Sequence, residues 1–139
     1  MDIEVVEKLT KEQIKHLNTL YQSEWWTTGR DLADVQRMVE NSDVIIGLCK
    51  QETKELIGFT RVLTDYVYKA LILDVMVKES YRGKNLGRII MDTVLEHPSL
   101  IGVKHFELYC RPEMLSIYKK WGFTEGIGEL HFMRKVKNG

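Results

Sequence analysis

Cysteine is nearly absent from this chain: Cys49 and Cys110 stand alone among 139 residues and lack CxxC spacing. They read as reduced thiols of a cytoplasmic protein. The four histidines (His16, His97, His105 and His131) show neither HxxxH nor Cys/His ligand spacing, so no metal is expected. No run approaches the ~20 apolar residues that cross a bilayer, and the first residues carry no signal-peptide pattern. Net charge is also missing, because 20 Lys and Arg balance 20 Asp and Glu. The chain as a whole therefore offers no field for nucleic acid or an anionic membrane. Repeats, low-complexity tracts and linkers are absent too, and the length suits a single domain over 1–139. Neither G-x-G-x-x-G nor the P-loop G-x-x-x-x-G-K-[ST] occurs, which argues against a dinucleotide-binding oxidoreductase.

What is present is a regular series of elements. Residues 2–7 read as a short strand. Thr10 and Gln13 form a capping-box pattern, followed by Ile14, Leu17, Tyr21 and Trp25 at helical spacing, so a helix is predicted over about 11–24. On this reading Trp25 continues the core stripe. Trp26-Thr27-Thr28-Gly29-Arg30 breaks it, and Asp31 caps a second helix bearing Leu32, Val35, Met38 and Val39. Val44–Leu48, Leu56–Leu63 and Ala70–Val77 are predicted as an antiparallel meander. A helix striped by Leu86, Ile89, Ile90 and Val94 then leads to a strand at His105–Tyr109, a right-handed parallel crossover. Pro112 opens a last helix carrying Met114, Ile117, Tyr118 and Trp121, which stops at Gly122. Phe123 and Glu129–Val136 are expected to close the sheet. The predicted order is β-α-α-β-β-β-α-β-α-β-β, an α/β (α+β) mixed sheet with helices on its faces.

The most informative segment runs from Asp74 to Ile90. A β-branched strand enters a basic, glycine-bearing turn, Arg82-Gly83-Lys84-Asn85-Leu86-Gly87, that opens a helix. Such a turn aims backbone N–H groups and a helix N-terminus at one point, which suits phosphates, and Arg82, Lys84 and Arg88 add positive charge. Two motifs here resemble the GNAT superfamily of acyl-CoA-dependent N-acyltransferases. Val75-Met76-Val77 with the 81–87 turn is similar to that family's strand and pyrophosphate loop. Ile117-Tyr118-Lys119-Lys120-Trp121-Gly122-Phe123 is similar to its tyrosine helix ending in Gly-Phe. Two departures stand out. Asn85 occupies the place of the family's middle glycine, and Asn tolerates left-handed backbone better than other non-Gly residues. The stretch Tyr109–Glu113 lacks the asparagine that many relatives carry there.

The resemblance implies a GNAT-like fold and an N-acetyltransferase that moves an acetyl group from acetyl-CoA to a primary amine within a ternary complex, without a metal. The rival is a non-catalytic acyl-CoA-binding sensor or scaffold. The resemblance assigns cofactor binding to Val75, Met76, Val77, Arg82, Gly83, Lys84, Asn85, Leu86, Gly87 and Arg88. A bulge at Val75–Val77 would free backbone donors for the thioester oxygen, and Tyr118 would protonate the departing thiolate. Deprotonating a lysine-like amine costs roughly 4–5 kcal/mol at neutral pH. Asp74, Glu24 and Glu79 are candidates for that task, and Asp74 joins Tyr118 as an expected catalytic group. Asp74 is read as sharing a side with Ile72 and Met76 and facing the acceptor cleft, with solvent as the alternative. Trp26 can form an aromatic wall for a cationic amine or simply pack. Arg30 suits an acceptor bearing a carboxylate or phosphate. The acceptor is expected to be a small molecule, and strand-completed relatives make a homodimer compatible with the fold.

Overall fold

The computed structural model describes residues 2–137. The chain divides into a large unit, Met1–Leu108, and a small one, Tyr109–Gly139. In the large unit, β1 (Ile3–Val6), β2 (Val44–Lys50), β3 (Leu56–Thr64), β4 (Lys69–Val77) and β5 (His105–Glu107) form one sheet in sequence order. The first four strands are antiparallel, and β5 joins β4 in parallel. That reversal follows from α3 (Leu86–Leu95), the crossover between β4 and β5. No helix among the described residues is long and apolar enough to cross a membrane.

The local signals that set the first helices act as their chemistry requires. The N–H of Gln13 donates to Thr10 Oγ1 at 3.1 Å and the N–H of Thr10 donates to Gln13 Oε1 at 3.0 Å, the reciprocal box that starts α1 (Lys11–Gln22). Asp31 Oδ1 accepts from the Asp34 N–H at 2.8 Å and starts α2 (Leu32–Glu40). Ile14, Leu17, Leu20 and Tyr21 of α1 are buried with Val35 of α2 and with Phe59 and Met76 of the sheet. On the other face, Leu86 and Ile90 of α3 pack with Leu48 and Ile57, with Val75 and Val77 against them. The sheet is thus covered on both sides, and β2 is buried along almost its whole length.

Trp25 departs from its expected place in the core: it is 72% exposed. The helix ends at Gln22, so the stripe that predicted its burial no longer applies three residues later. β5 is also shorter than expected and pairs only Lys69↔His105, Ala70↔Phe106 and Leu71↔Glu107. Beyond Leu71, β4 therefore has β3 as its one strand partner among the described residues.

In the small unit, a single 3₁₀ turn at Pro112–Met114 leads into α4 (Leu115–Lys119). The helix stops at Gly122, whose φ is +89°. The Phe123 N–H donates to the Tyr118 carbonyl at 3.3 Å and the Gly122 N–H donates to Lys119 at 3.0 Å, a Schellman closure. The expected closing strands at Phe123 and Glu129–Val136 are not formed. Leu130, Phe132, Met133 and Val136 are exposed, and alternation without a hydrogen-bonded neighbour does not make a strand.

Candidate active site

The strand-to-helix turn is shaped by two left-handed residues. After β4 comes one 3₁₀ turn at Glu79–Tyr81, with Arg82 extended, Gly83 at φ +80° and Asn85 at φ +64°. Glycine and asparagine are the residues that accept this region most readily, which is why the Asn85 departure leaves the turn intact. The Asn85 side chain makes no capping bond, and the Ile89 N–H donates to the Asn85 carbonyl at 3.2 Å. The amides of Asn85, Leu86, Gly87 and Arg88 thus precede the first intrahelical donor, Ile89, and have no acceptor within the helix. A Cβ built on Gly83 or Gly87 would meet nothing within 4 Å, so the space beside both glycines is open.

The basic side chains around the turn differ in role. Lys84 Nζ lies 5.4 Å from the Tyr81 ring centre. Arg88 is exposed, with Asp92 at 3.7 Å one helical turn on. Arg82 folds back instead: its Nε donates to the Val77 carbonyl at 3.2 Å, and its Nη2 donates to Glu24 Oε1 at 2.7 Å. It ties the turn to the loop after α1.

The β4 bulge lies at Asp74–Val75, at the start of the expected Val75–Val77 stretch. Arg61 pairs with Leu73 and Phe59 pairs with Met76, so Thr60 alone faces two residues of β4. Asp74 absorbs the extra residue by adopting φ +55°. The Thr60 hydroxyl donates to the Leu73 carbonyl at 2.7 Å and pins the irregularity. One consequence corrects the expected side-chain alternation. Leu73 and Asp74 both project toward α1, because Leu73 pairs with Arg61, which itself reaches Asp74; Ile72 therefore lies on the opposite face. Met76 remains on the same side as Asp74, packed in the α1 core.

Asp74 does not point to solvent, since its side chain is only 5% exposed. Its Oδ2 accepts from the Tyr21 hydroxyl at 2.7 Å, Arg61 Nε at 2.8 Å and Arg30 Nη1 at 3.2 Å. Burial alone would raise the carboxyl pKa; the hydrogen bonds from Arg61 and Tyr21 and both guanidinium charges outweigh it, and the net direction is down. Burial and the Asp74 charge push the Tyr21 phenol up, so it stays a donor. A depressed, twice-paired carboxylate is a poor proton acceptor. This geometry makes Asp74 an anchor for two arginines rather than the base expected of it.

In the small unit, Tyr118 is 8% exposed, with its ring near Trp121 and Phe123 at centroid distances of 6.3 and 6.0 Å. Burial, with a smaller effect from Cys110, raises its pKa, so the phenol carries its proton at neutral pH. Its hydroxyl has no hydrogen-bond partner among the described residues.

Comparison with known proteins follows the same lines. Residues 11–123 match the acetyltransferase (GNAT) family. The chain belongs to that family. It is 30% identical to GCN5-related N-acetyltransferase 1, chloroplastic, of Arabidopsis thaliana over 112 residues, covering 78% of this chain and 57% of that protein. It is 33% identical over 110 residues to an uncharacterised N-acetyltransferase of Prochlorococcus marinus, covering 78% of this chain and 61% of the relative. This chain thus spans less than two thirds of either relative's length. A solved GNAT-family structure from Xanthomonas campestris pv. campestris is 28% identical with a TM-score of 0.83, covering 99% of this chain and 94% of that one.

Within this GNAT fold, the turn gathers Arg82, Gly83, Lys84, Asn85, Leu86, Gly87 and Arg88 as expected of neighbours in sequence. Asp74 and Arg30 meet across 44 positions. Trp26 is 42% exposed in the loop after α1, which also carries Glu24 and Arg30. Sequence reasoning missed Arg61 and Tyr21. Arg61 had a visible signal, a lone charge within the otherwise uncharged run Leu56–Leu63. Tyr21 had none, because its place on the α1 stripe already explained it.

Proposed function

We propose that the chain is an N-acetyltransferase that moves the acetyl group of acetyl-CoA to a primary amine by direct transfer in a ternary complex. The observation that carries this reading is the open, uncapped turn at 82–88 in a GNAT-family chain. Four amides with no hydrogen-bond partner among the described residues, a helix N-terminus and the charges of Lys84 and Arg88 fit a diphosphate. Arg82 holds the turn in place through Val77 and Glu24. The edge of β4 beyond Leu71 has amides to offer a developing oxyanion, with Val75–Val77 nearest the bulge. One such donor lowers a barrier by roughly 3–4 kcal/mol.

In the transfer, the amine nitrogen bonds to the acetyl carbon, the carbon–sulfur bond breaks, and Tyr118 protonates the departing sulfur. Asp74 is paired with two arginines and Glu24 with Arg82, so of the three candidates Glu79 is the least engaged for taking the amine proton through water. Trp26 stands as an aromatic side of the acceptor site. The acceptor is a small molecule, a homodimer is compatible with the fold, and the two free thiols suit a reducing compartment such as the cytoplasm.

The test is CoA thiol release from acetyl-CoA with a panel of primary amines. Tyr118→Phe is expected to lower kcat about 100-fold, the low end for a general acid because a thiolate already leaves well. If folded, CoA-binding protein turns over no primary amine, the proposal fails. The occupation of Asp74 by two arginines also favours a second reading, a non-catalytic acyl-CoA-binding sensor or scaffold. Tight CoA binding without turnover, indifferent to Tyr118→Phe, would identify it.

A further inference from the structure

The Asp74 cluster contains more positive charge than it uses. Arg30 and Arg61 bring two guanidiniums to one carboxylate, and the tyrosine between them is neutral. Among the described residues, one positive charge within the cluster is left without an acidic partner. The unused donors are also accessible. Among the described residues, Arg61 hydrogen-bonds through Nε alone, and Arg30 through Nη1 alone, to Asp74 and the Met38 sulfur. No buried side-chain nitrogen in the described residues is left unpaired, so the free guanidinium N–H groups reach solvent. The Arg30 side chain is 34% exposed and that of Arg61 15%.

Arg30 is also immobilised. Its guanidinium carbon sits 4.5 Å from the centre of the Tyr21 ring, while Nη1 is 3.2 Å from Asp74 and 3.7 Å from Met38. An arginine stacked on one face and hydrogen-bonded at one nitrogen has already lost the rotamer freedom that binding would otherwise cost. Its planar fork is the donor geometry that carboxylates and phosphates accept. A surface arginine serving only to neutralise Asp74 would need no partner of its own kind behind it. Here Arg61 already pairs with that carboxylate at the shorter distance.

We infer that Arg30, backed by Arg61, is an oxyanion receptor, and that the acceptor is an amine carrying a carboxylate or phosphate. This rests on the acetyltransferase reading, in which the β4 bulge adjoins the reacting carbon; Asp74 is the bulge residue, so its arginines stand beside the acceptor. Asp74 then acts as a positioning residue that orients the receptor, and the specificity lies in Arg30.

Two matched pairs of probes test this: O-phosphoethanolamine against ethanolamine, and β-alanine against β-alaninamide. Each is measured by turnover with acetyl-CoA and by saturation-transfer NMR on CoA-saturated protein. At least one anionic member is expected to exceed its uncharged partner about 10- to 100-fold in kcat/KM and in affinity, the range for a charge-assisted hydrogen bond. The pair that discriminates tells phosphate from carboxylate. In Arg30→Gln that ratio should collapse toward one, and Arg30→Lys should restore part of it. Arg61→Lys serves as a second variant if Arg30→Gln fails to fold. Equal or better use of the uncharged members, unaltered in Arg30→Gln, overturns the inference and leaves the acetyltransferase reading standing. Absence of turnover with every amine sinks that reading instead, and the NMR ratios then decide the receptor alone: a retained anion preference lost in Arg30→Gln supports it, and none refutes it.

Discussion

Replacing Asp74 by Asn tests whether this carboxylate anchors two arginines or abstracts a proton. The substitution is well suited to the position. At φ +55° an alanine would add backbone strain of roughly 1–2 kcal/mol, whereas Asn enters the left-handed region with little penalty. Asp74→Asn therefore removes the charge without disturbing the bulge. Removing one partner of a fully buried ion pair costs about 3–5 kcal/mol, because the other charge is stranded. Here Arg30 is one-third exposed and the amide oxygen still accepts a hydrogen bond, so the expected loss is smaller, about 2–3 kcal/mol. For a chain of this size that corresponds to a fall in Tm of roughly 6–12 °C. Urea denaturation of wild type, Asp74→Asn, Arg61→Gln and the double variant measures it directly. The cycle should show coupling of at least about 1 kcal/mol between residues 74 and 61. A stability change below about 0.5 kcal/mol, accompanied by loss of kcat, would refute the anchoring argument and restore Asp74 as the base.

Other consequences can be measured alongside. Because the Asp74 pKa is lowered in the fold, its ion pairs stabilise the protein above the ordinary value of 3.8. That stability is lost as pH falls through the lower folded value. Acid titrations of wild-type unfolding should therefore steepen below about pH 4, and Asp74→Asn should flatten that limb; identical limbs would contradict the assignment. Asn85→Ala is expected to cost about 1–2 kcal/mol of stability through its left-handed backbone and to weaken CoA binding measured by calorimetry. Asn85→Gly should be tolerated in both, and equal behaviour of the two variants would mean that the turn does not depend on this φ.

Much of the molecule was legible because its signals are local. The Thr10–Gln13 box, the Asp31 cap, the glycine closure after Tyr118 and the turn at 82–87 act within a few residues, where side-chain type dictates backbone conformation. The closing strands at Phe123 and Glu129–Val136 failed for the opposite reason. Apolar alternation describes a surface ready to pair, and whether it pairs depends on another segment. Trp25 failed similarly, since a stripe is meaningful only as long as its helix lasts.

The amino-acid order by itself determined the α/β element series through the last helix, the phosphate-suited turn and the residues able to tolerate its left-handed geometry. Tertiary structure alone decided the chemistry of Asp74. An extra residue in β4 puts consecutive side chains on one face, so Arg61 from the adjacent strand and Arg30 from the loop after α1 converge on a single carboxylate oxygen. Register and burial set that meeting, and they depend on pairings 13 and 44 positions apart, beyond the reach of local propensity.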